Sequence, residues 1–354
     1  MAYDPYKALY LHIPFCVQKC NYCDFCSRVR DVDSGEVREY CENLVMDIRR
    51  AAKEEKLGAL ETIYIGGGTP SYIGQKNLSS ILYAISMSVN LENVREFTME
   101  ANPESLNLEL VKDIWAMGVN RLSLGVQSFD DNLLQMLGRA HNAKGALDAI
   151  EIARQRFENV SIDLMCGIPG QTEDVFRESL RRAVELDLPH ISIYPLQIEP
   201  NTVFYKWKEQ GKIDDIDEDT QADHMLLAAE ILGEAGYCHY EVSSYAKPGF
   251  ESKHNLSYWQ SKPYLGLGQS ATTMTQNSER RMRVTDNNVE DDLNAKQMLA
   301  EDLVLSARTK FGASAELCDR AREVFENFDS TIEELQNLEL IKQSEGGFSP
   351  TEKG

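Results

Sequence analysis

Short apolar, β-rich runs alternate with amphipathic stretches through the first two hundred residues. The runs are Ala8–His12, Thr62–Ile65, Glu96–Glu100, Arg121–Gly125, Val160–Leu164 and His190–Tyr194. Between them, over roughly Gly35–Glu55, Lys76–Val89, Asn107–Met117, Ala143–Phe157 and Glu173–Leu186, apolar residues recur at the period of a helix with one buried face. Asn107 is placed to cap its helix, and Gly118 stands where a left-handed residue would end it. Six such units in succession predict an α/β fold built on a parallel sheet.

The polar residues decide between a barrel and an open sheet. Cys16, the Gly66–Pro70 turn, Glu100, Gln127 and Asp163 each fall at or just past the C-terminal end of a predicted strand. In a βα barrel those ends share one face, where the loops converge. The expected architecture is therefore an incomplete, TIM-like (β/α)6 barrel over residues 1–205. Beyond it the pattern changes. An acidic stretch, Asp214–Asp223, leads into a predicted helix, Gln221–Ala235, and then an aromatic and glycine-rich run from Tyr237 to Gly268. Residues 206–285 read as an extension of the barrel. Residues 286–354 read as a small helical domain with a short hairpin, like a winged helix.

A chain of 354 residues has ample length for a large core, and its net charge of −21 disfavours nucleic acid as a partner. No apolar run approaches the ~20 residues that span a bilayer, and no basic, apolar leader opens the chain. The expectation is a cytoplasmic protein without a transmembrane segment, in a reducing compartment where its eight cysteines form no disulfide framework.

Three of those cysteines carry the chemistry. Cys16, Cys20 and Cys23 have C-x3-C-x2-C spacing on one short loop. Thiolates are the usual protein ligands of iron–sulfur clusters, and three of them leave a four-iron cubane with one open iron. Cys26 makes a fourth, which is also the count for a structural zinc site. Zinc sites usually set two close pairs a dozen or more residues apart, and four sulfurs in this short a loop suit that poorly. Cys41 lies on an apolar helical stripe, while Cys166, Cys238 and Cys318 are scattered; all four read as buried hydrophobes.

The Gly66–Pro70 turn would let backbone groups approach a ligand, although such a run also serves as a plain tight turn. Glu100 and Asp163 suit a ligand's amine and a ribose's hydroxyls, and Arg139 suits a carboxylate. Solvated or salt-bridged roles are common for all three residue types.

Taken in order, the motifs around these residues resemble a known family. They are Tyr10–Cys16 with Cys20 and Cys23, Gly66–Pro70, Glu100–Glu104, Leu122–Phe129, Gly138–His141 and Asp163–Thr172. They are similar to the radical S-adenosylmethionine (SAM) superfamily, in its branch related to oxygen-independent coproporphyrinogen III oxidase. The resemblance implies a 4Fe–4S cluster on Cys16, Cys20 and Cys23. It implies SAM chelated to the open iron, with contacts at Tyr10, Tyr22, Gly67, Gly68, Thr69, Glu100, Gln127, Arg139 and Asp163. It also implies one-electron cleavage of the sulfonium, fed by an electron donor such as a flavodoxin or ferredoxin.

Two branches of that family compete. The oxidase branch carries C-x-C after its third cysteine, but here that position is Phe25, and Cys26 comes one step later. The runs Cys16–Cys20, Cys23–Phe25 and Tyr240–Ala246 resemble the HemW-type heme chaperones instead. So does His254-Asn255-Leu256-Ser257-Tyr258-Trp259, which fits the H-N-x-x-Y-W motif associated with heme binding in that branch. The resemblance implies heme at His254 and its transfer to an acceptor protein. A neutral imidazole is a common heme ligand, and Tyr258 and Trp259 offer flat apolar area, although an isolated histidine is more often hydrogen-bonded in a loop. The alternative function is conversion of coproporphyrinogen III to protoporphyrinogen IX.

Overall fold

A computed structural model describes residues 2–214 and 217–351; Met1, Asp215 and Ile216 of the acidic stretch, and residues 352–354 of the C-terminal segment lie outside the described residues. Six strands stand side by side and parallel, in sequence order: β1 (Ala8–Ile13), β2 (Thr62–Gly67), β3 (Glu96–Ala101), β4 (Arg121–Gln127), β5 (Asn159–Cys166) and β6 (His190–Pro195). Each occupies its predicted place and runs one or two residues further. β5 reaches Cys166 because Met165 and Cys166 pair with Tyr194 and Pro195. Asp163 therefore sits within the strand, not at its end.

Alternation along the strands sorts two environments. Leu9, Leu11, Ile13, Ile63, Ile65, Phe97, Met99, Leu122, Leu124, Val126, Val160, Ile162, Leu164, Ile191 and Ile193 are buried in one apolar core shared with the surrounding helices. Each such side chain contributes about 1.5–3 kcal/mol on leaving water. The helices Gly35–Lys53, Gln75–Ser88, Leu108–Ala116, Ala143–Arg154 and Glu173–Glu185 cover that face. Ser34, Asn107, Asn142 and Thr172 cap four of them, each accepting a backbone N–H from the first turn. The alternate strand positions point the other way and are largely polar. Tyr64 meets Glu100 there at 2.7 Å, Ser123 meets Asp163 at 3.3 Å, and Ser161 meets His190 at 2.7 Å. The barrel lumen is polar, and the apolar core lies outside it.

Among the described residues the main sheet has twelve strands and remains open. Beyond β6 lie Ser244–Ala246 and Cys238–Glu241, antiparallel; beyond β1 lie Tyr264–Leu267, parallel, and then Thr272–Gln276, Arg280–Thr285 and Asn288–Asn294. The sequence pattern past residue 205 predicted none of these strands, because they are short and broken by turns. The helix Lys253–Trp259 packs against β2 and β3. The predicted helix Gln221–Ala235 is present as Glu218–Glu234.

Helices Ala295–Ala307, Ala315–Val324 and Phe328–Asn337 and the hairpin Ile341–Ser344/Gly347–Pro350 enclose an apolar cluster of their own, which includes Cys318, Phe328 and Phe348. Arg281, 2% exposed, reaches from Arg280–Thr285 to Glu301 and Asp302 on the first of these helices. No helix among the described residues is long and apolar enough to cross a membrane.

Candidate functional site

The cysteine loop leaves β1 and is closed at its neck. Phe15 and Cys16 pair with Arg28 and Val29, and Arg28 N–H donates to the Pro14 carbonyl at 2.8 Å. His12, 6% exposed, donates from Nε2 to the Cys26 carbonyl at 2.8 Å and accepts at Nδ1 from the Tyr10 hydroxyl at 3.1 Å. Cys16, Cys20 and Cys23 then line a cavity of about 600 Å³, within the range of small-molecule sites; Cys26 does not line it. All eight cysteines are free thiols.

Among the described residues, no three His, Cys, Asp or Glu side chains converge as closely as a single metal ion requires. A cubane's thiolates bind different irons, so they need not converge on one point. Thr69 Oγ1 donates to Cys16 Sγ at 3.5 Å and Arg139 Nη1 to Cys20 Sγ at 3.3 Å. Burial pushes the Cys16 and Cys23 thiols above their ordinary pKa, and the nearby Ser27 hydroxyl opposes that shift at both.

The glycine turn presses against the neck of this loop. Gly68 N–H donates to the Ile13 carbonyl at 2.7 Å, and a Cβ on Gly68 would lie 2.8 Å from the Phe15 carbonyl oxygen. Gly67 adopts φ +111°, where a side chain would be strained, and its N–H donates to Glu100 Oε2 at 3.0 Å. The turn is thus built to bring bare backbone to the cavity wall.

Burial raises Glu100 to about 7, although the Tyr64 hydroxyl donates to its Oε1 at 2.7 Å and favours the ionised form. Burial also pushes Asp163 up, against the Arg121 charge and hydrogen bonds from Ser192 and Ser123. Gln127 takes φ +68° at a bulge where the β4–β5 register shifts, a strained conformation for a non-glycine residue that aims its side chain at the cavity. Arg139 Nη2 donates to Asn102 Oδ1 and to the Gly125 carbonyl, both at 2.7 Å, while its buried Nε has no partner.

Seven residues expected at the cofactor line the cavity with the three cysteines: Tyr22, Gly67, Gly68, Glu100, Gln127, Arg139 and Asp163. Two stand behind it. Tyr10 stacks on Tyr64 with centroids 6.1 Å apart, and Thr69 supports Cys16. Asn102, Ser123 and Tyr194 also line the cavity but escaped sequence reading. Asn102, the first residue past β3, joins two parts of the site by donating to Thr69 Oγ1 at 3.0 Å and accepting from Arg139.

His254 lies at the other end of the barrel. It belongs to the helix Lys253–Trp259, not to a loop, and its backbone N–H donates to Glu96 Oε1 at 3.0 Å. Glu96 also accepts from Ser252 Oγ at 3.3 Å and Lys253 N–H at 2.8 Å. The His254 ring is fully buried, its Nδ1 paired with Thr62 Oγ1 at 2.9 Å and its Nε2 with the Tyr258 hydroxyl at 2.8 Å. Burial lowers its pKa to about 3, so the imidazole is neutral at physiological pH. The Trp259 ring carries the Arg308 guanidinium 4.9 Å from its centroid. Thr62 and Glu96 begin β2 and β3, whereas Gly67 and Glu100 lie near their ends, about 13–17 Å further along the strand.

The profile of the Radical SAM superfamily matches residues 10–183. The heme chaperone HemW of Lactococcus lactis subsp. lactis (strain IL1403) is 35% identical over 368 residues, covering 98% of this chain and 94% of its own. The chain belongs to the HemW heme chaperone family. HemW of Bacillus subtilis (strain 168) is 34% identical, covering 98% of this chain and 96% of its own. The solved structure of coproporphyrinogen III oxidase (HemN) from Escherichia coli, a radical SAM enzyme, matches with a TM-score of 0.82. It covers 99% of this chain and 88% of its own at 21% identity, and so shares the fold. The cofactors of this HemW-family chain are a 4Fe–4S cluster and SAM. Three thiols on a closed loop, two buried carboxylates, bare glycine backbone and an unpartnered guanidinium nitrogen fit them.

Proposed function

We propose that this chain binds heme and passes it to an acceptor protein, with the cluster on Cys16, Cys20 and Cys23 and SAM in the adjoining cavity. The observation that carries this reading is Phe25, 70% exposed at the cavity rim, where the oxidase branch places a further cysteine. The similarity to curated heme chaperones over nearly the whole chain supports it. In this reading Glu100 takes the cofactor's amine and Asp163 its hydroxyls. Gly67 and Gly68 offer backbone N–H and C=O groups, Arg139 Nε faces its carboxylate, and Tyr22 and Gln127 complete the wall; Tyr10 and Thr69 act from behind. The bound cluster supplies one-electron chemistry and an open iron for SAM.

His254 serves as the heme ligand after the helix Lys253–Trp259 withdraws, because both ring nitrogens are engaged in the observed fold. A low-potential donor such as a flavodoxin or ferredoxin would supply the electron, and the setting is the cytoplasm. Anaerobically reconstituted protein should bind about one heme per chain, with a spectrum altered in His254→Ala. No heme binding would sink the chaperone reading, and an unchanged spectrum would remove His254 from it. Formation of protoporphyrinogen from coproporphyrinogen, reductant and SAM would replace it with the oxidase.

A further inference from the structure

Ser27 has no assigned role, yet its position is closely fixed. The Cys16–Val29 pairing draws it alongside Cys16. The Cys26 carbonyl before it is held by His12 at 2.8 Å, and Lys19 Nζ donates to its own carbonyl at 3.5 Å. With the backbone pinned on both sides, the buried hydroxyl lines the cavity against the Cys16 and Cys23 thiols, whose ionised form it favours, and has no oxygen or nitrogen partner. A buried hydroxyl left unsatisfied costs about 1–3 kcal/mol, so those two sulfurs are the acceptors expected for its proton.

Two other donors already point at the same loop from different elements. Thr69, behind the glycine turn, donates to Cys16 Sγ, and Arg139, just past the helix Asp131–Leu137, donates to Cys20 Sγ. We propose that Ser27, Thr69 and Arg139 form a set of donors to the cluster's cysteine sulfurs, with Thr69 serving Cys16, Arg139 serving Cys20 and Ser27 serving Cys16 and Cys23. Hydrogen bonds to cluster sulfurs set reduction potential. On reduction the cluster gains one electron and one negative charge. Donors and a cation favour that form, so the set makes the cluster easier to reduce. Arg139 spends two of its three nitrogens on Cys20, Asn102 and Gly125, making it as much a partner of the cluster as of SAM.

The inference rests on the cluster's placement, which Cys20→Ser tests separately through loss of bound iron. The decisive measurement is a redox titration of the reconstituted cluster, without SAM, read by electron paramagnetic resonance of the reduced form. At a fixed solution potential, Ser27→Ala and Thr69→Val should each show a reduced-to-oxidised ratio three- to tenfold lower than the parent. Tenfold corresponds to 59 mV for one electron. Arg139→Gln should lose more, and Ser27→Thr, which keeps the hydroxyl, should recover the parent value. A merely structural serine would change iron content and leave the potential in place. Parent-like titration of Ser27→Ala at full iron content overturns the proposal. If that variant fails to take up full iron, Ser27→Gly and Thr69→Val decide, and parent-like potentials in both overturn it equally.

Discussion

The Tyr64 hydroxyl donates to Glu100 at 2.7 Å, and the same tyrosine ring lies 5.0 Å, centroid to centroid, from His254. One side chain thus touches both the cavity carboxylate and the buried imidazole of the helix Lys253–Trp259. Its hydrogen bond favours ionised Glu100, whereas burial raises that carboxyl to about 7. Only the ionised form pairs with an amine, so affinity for S-adenosylhomocysteine, which carries the same amine, should fall as pH drops through 7. Tyr64→Phe should move that fall up by about one to two pH units, since a hydrogen bond to a charged group contributes about 1.5–3 kcal/mol. Calorimetric titrations between pH 6 and 8.5 check both, and a flat profile would separate Glu100 from the amine.

Cys26 lies outside the cavity wall that Cys16, Cys20 and Cys23 share. Cys26→Ser should keep about four irons per chain and the broad visible absorption, and Cys20→Ser should lose both. Iron and sulfide analysis after anaerobic reconstitution distinguishes them. Equal loss from both variants would make Cys26 a ligand.

His254 is buried neutral, with its pKa near 3 against about 6.5 in an unfolded chain, and burial likewise lowers His190. The unfolded state therefore binds more protons between those values. Stability is complete above pH 6.5 and declines as pH falls toward 3, by up to about 1.4 kcal/mol per pH unit for each such ring. Melting curves from pH 7.5 to 5 should show the decline, and His254→Gln should make it shallower. An unchanged slope would show that this ring does not titrate as its burial requires.

Arg281 joins the strand Arg280–Thr285 to the helix Ala295–Ala307 through Glu301 and Asp302. Glu301 keeps its pairing with Arg283, whereas Asp302 loses its cation, so Arg281→Leu should cost about 1–3 kcal/mol in urea unfolding. A loss below about 1 kcal/mol would mean that solvent already screens the cluster.

The six barrel strands, their helices and the cysteine loop were legible because their signals are local: runs of apolar residues, helical periods and close spacing. Asp163 looked like a strand-end residue only because the apolar run before it is short; pairing with β6 carries the strand past it. The polar lumen was not legible. Tyr64, Ser123 and Ser161 look like ordinary strand residues until the registers bring them together. Asn102 gave a hint by following β3, but its bonds to Thr69 and Arg139 span 33 and 37 positions. His254 was found by motif, yet nothing local says that Glu96, far back in the chain, holds its backbone. Past residue 205 the strands are three to seven residues long and draw their order from neighbours, not from their own pattern.

The helix Lys253–Trp259 stoppers the barrel at the start of its strands, while the cysteine loop overhangs the far mouth. Two guests would then arrive through opposite doors and never queue for one opening. On the proposed reading neither guest would block the other's entrance, and an influence of one on the other would travel through the wall between them, where Tyr64 stands.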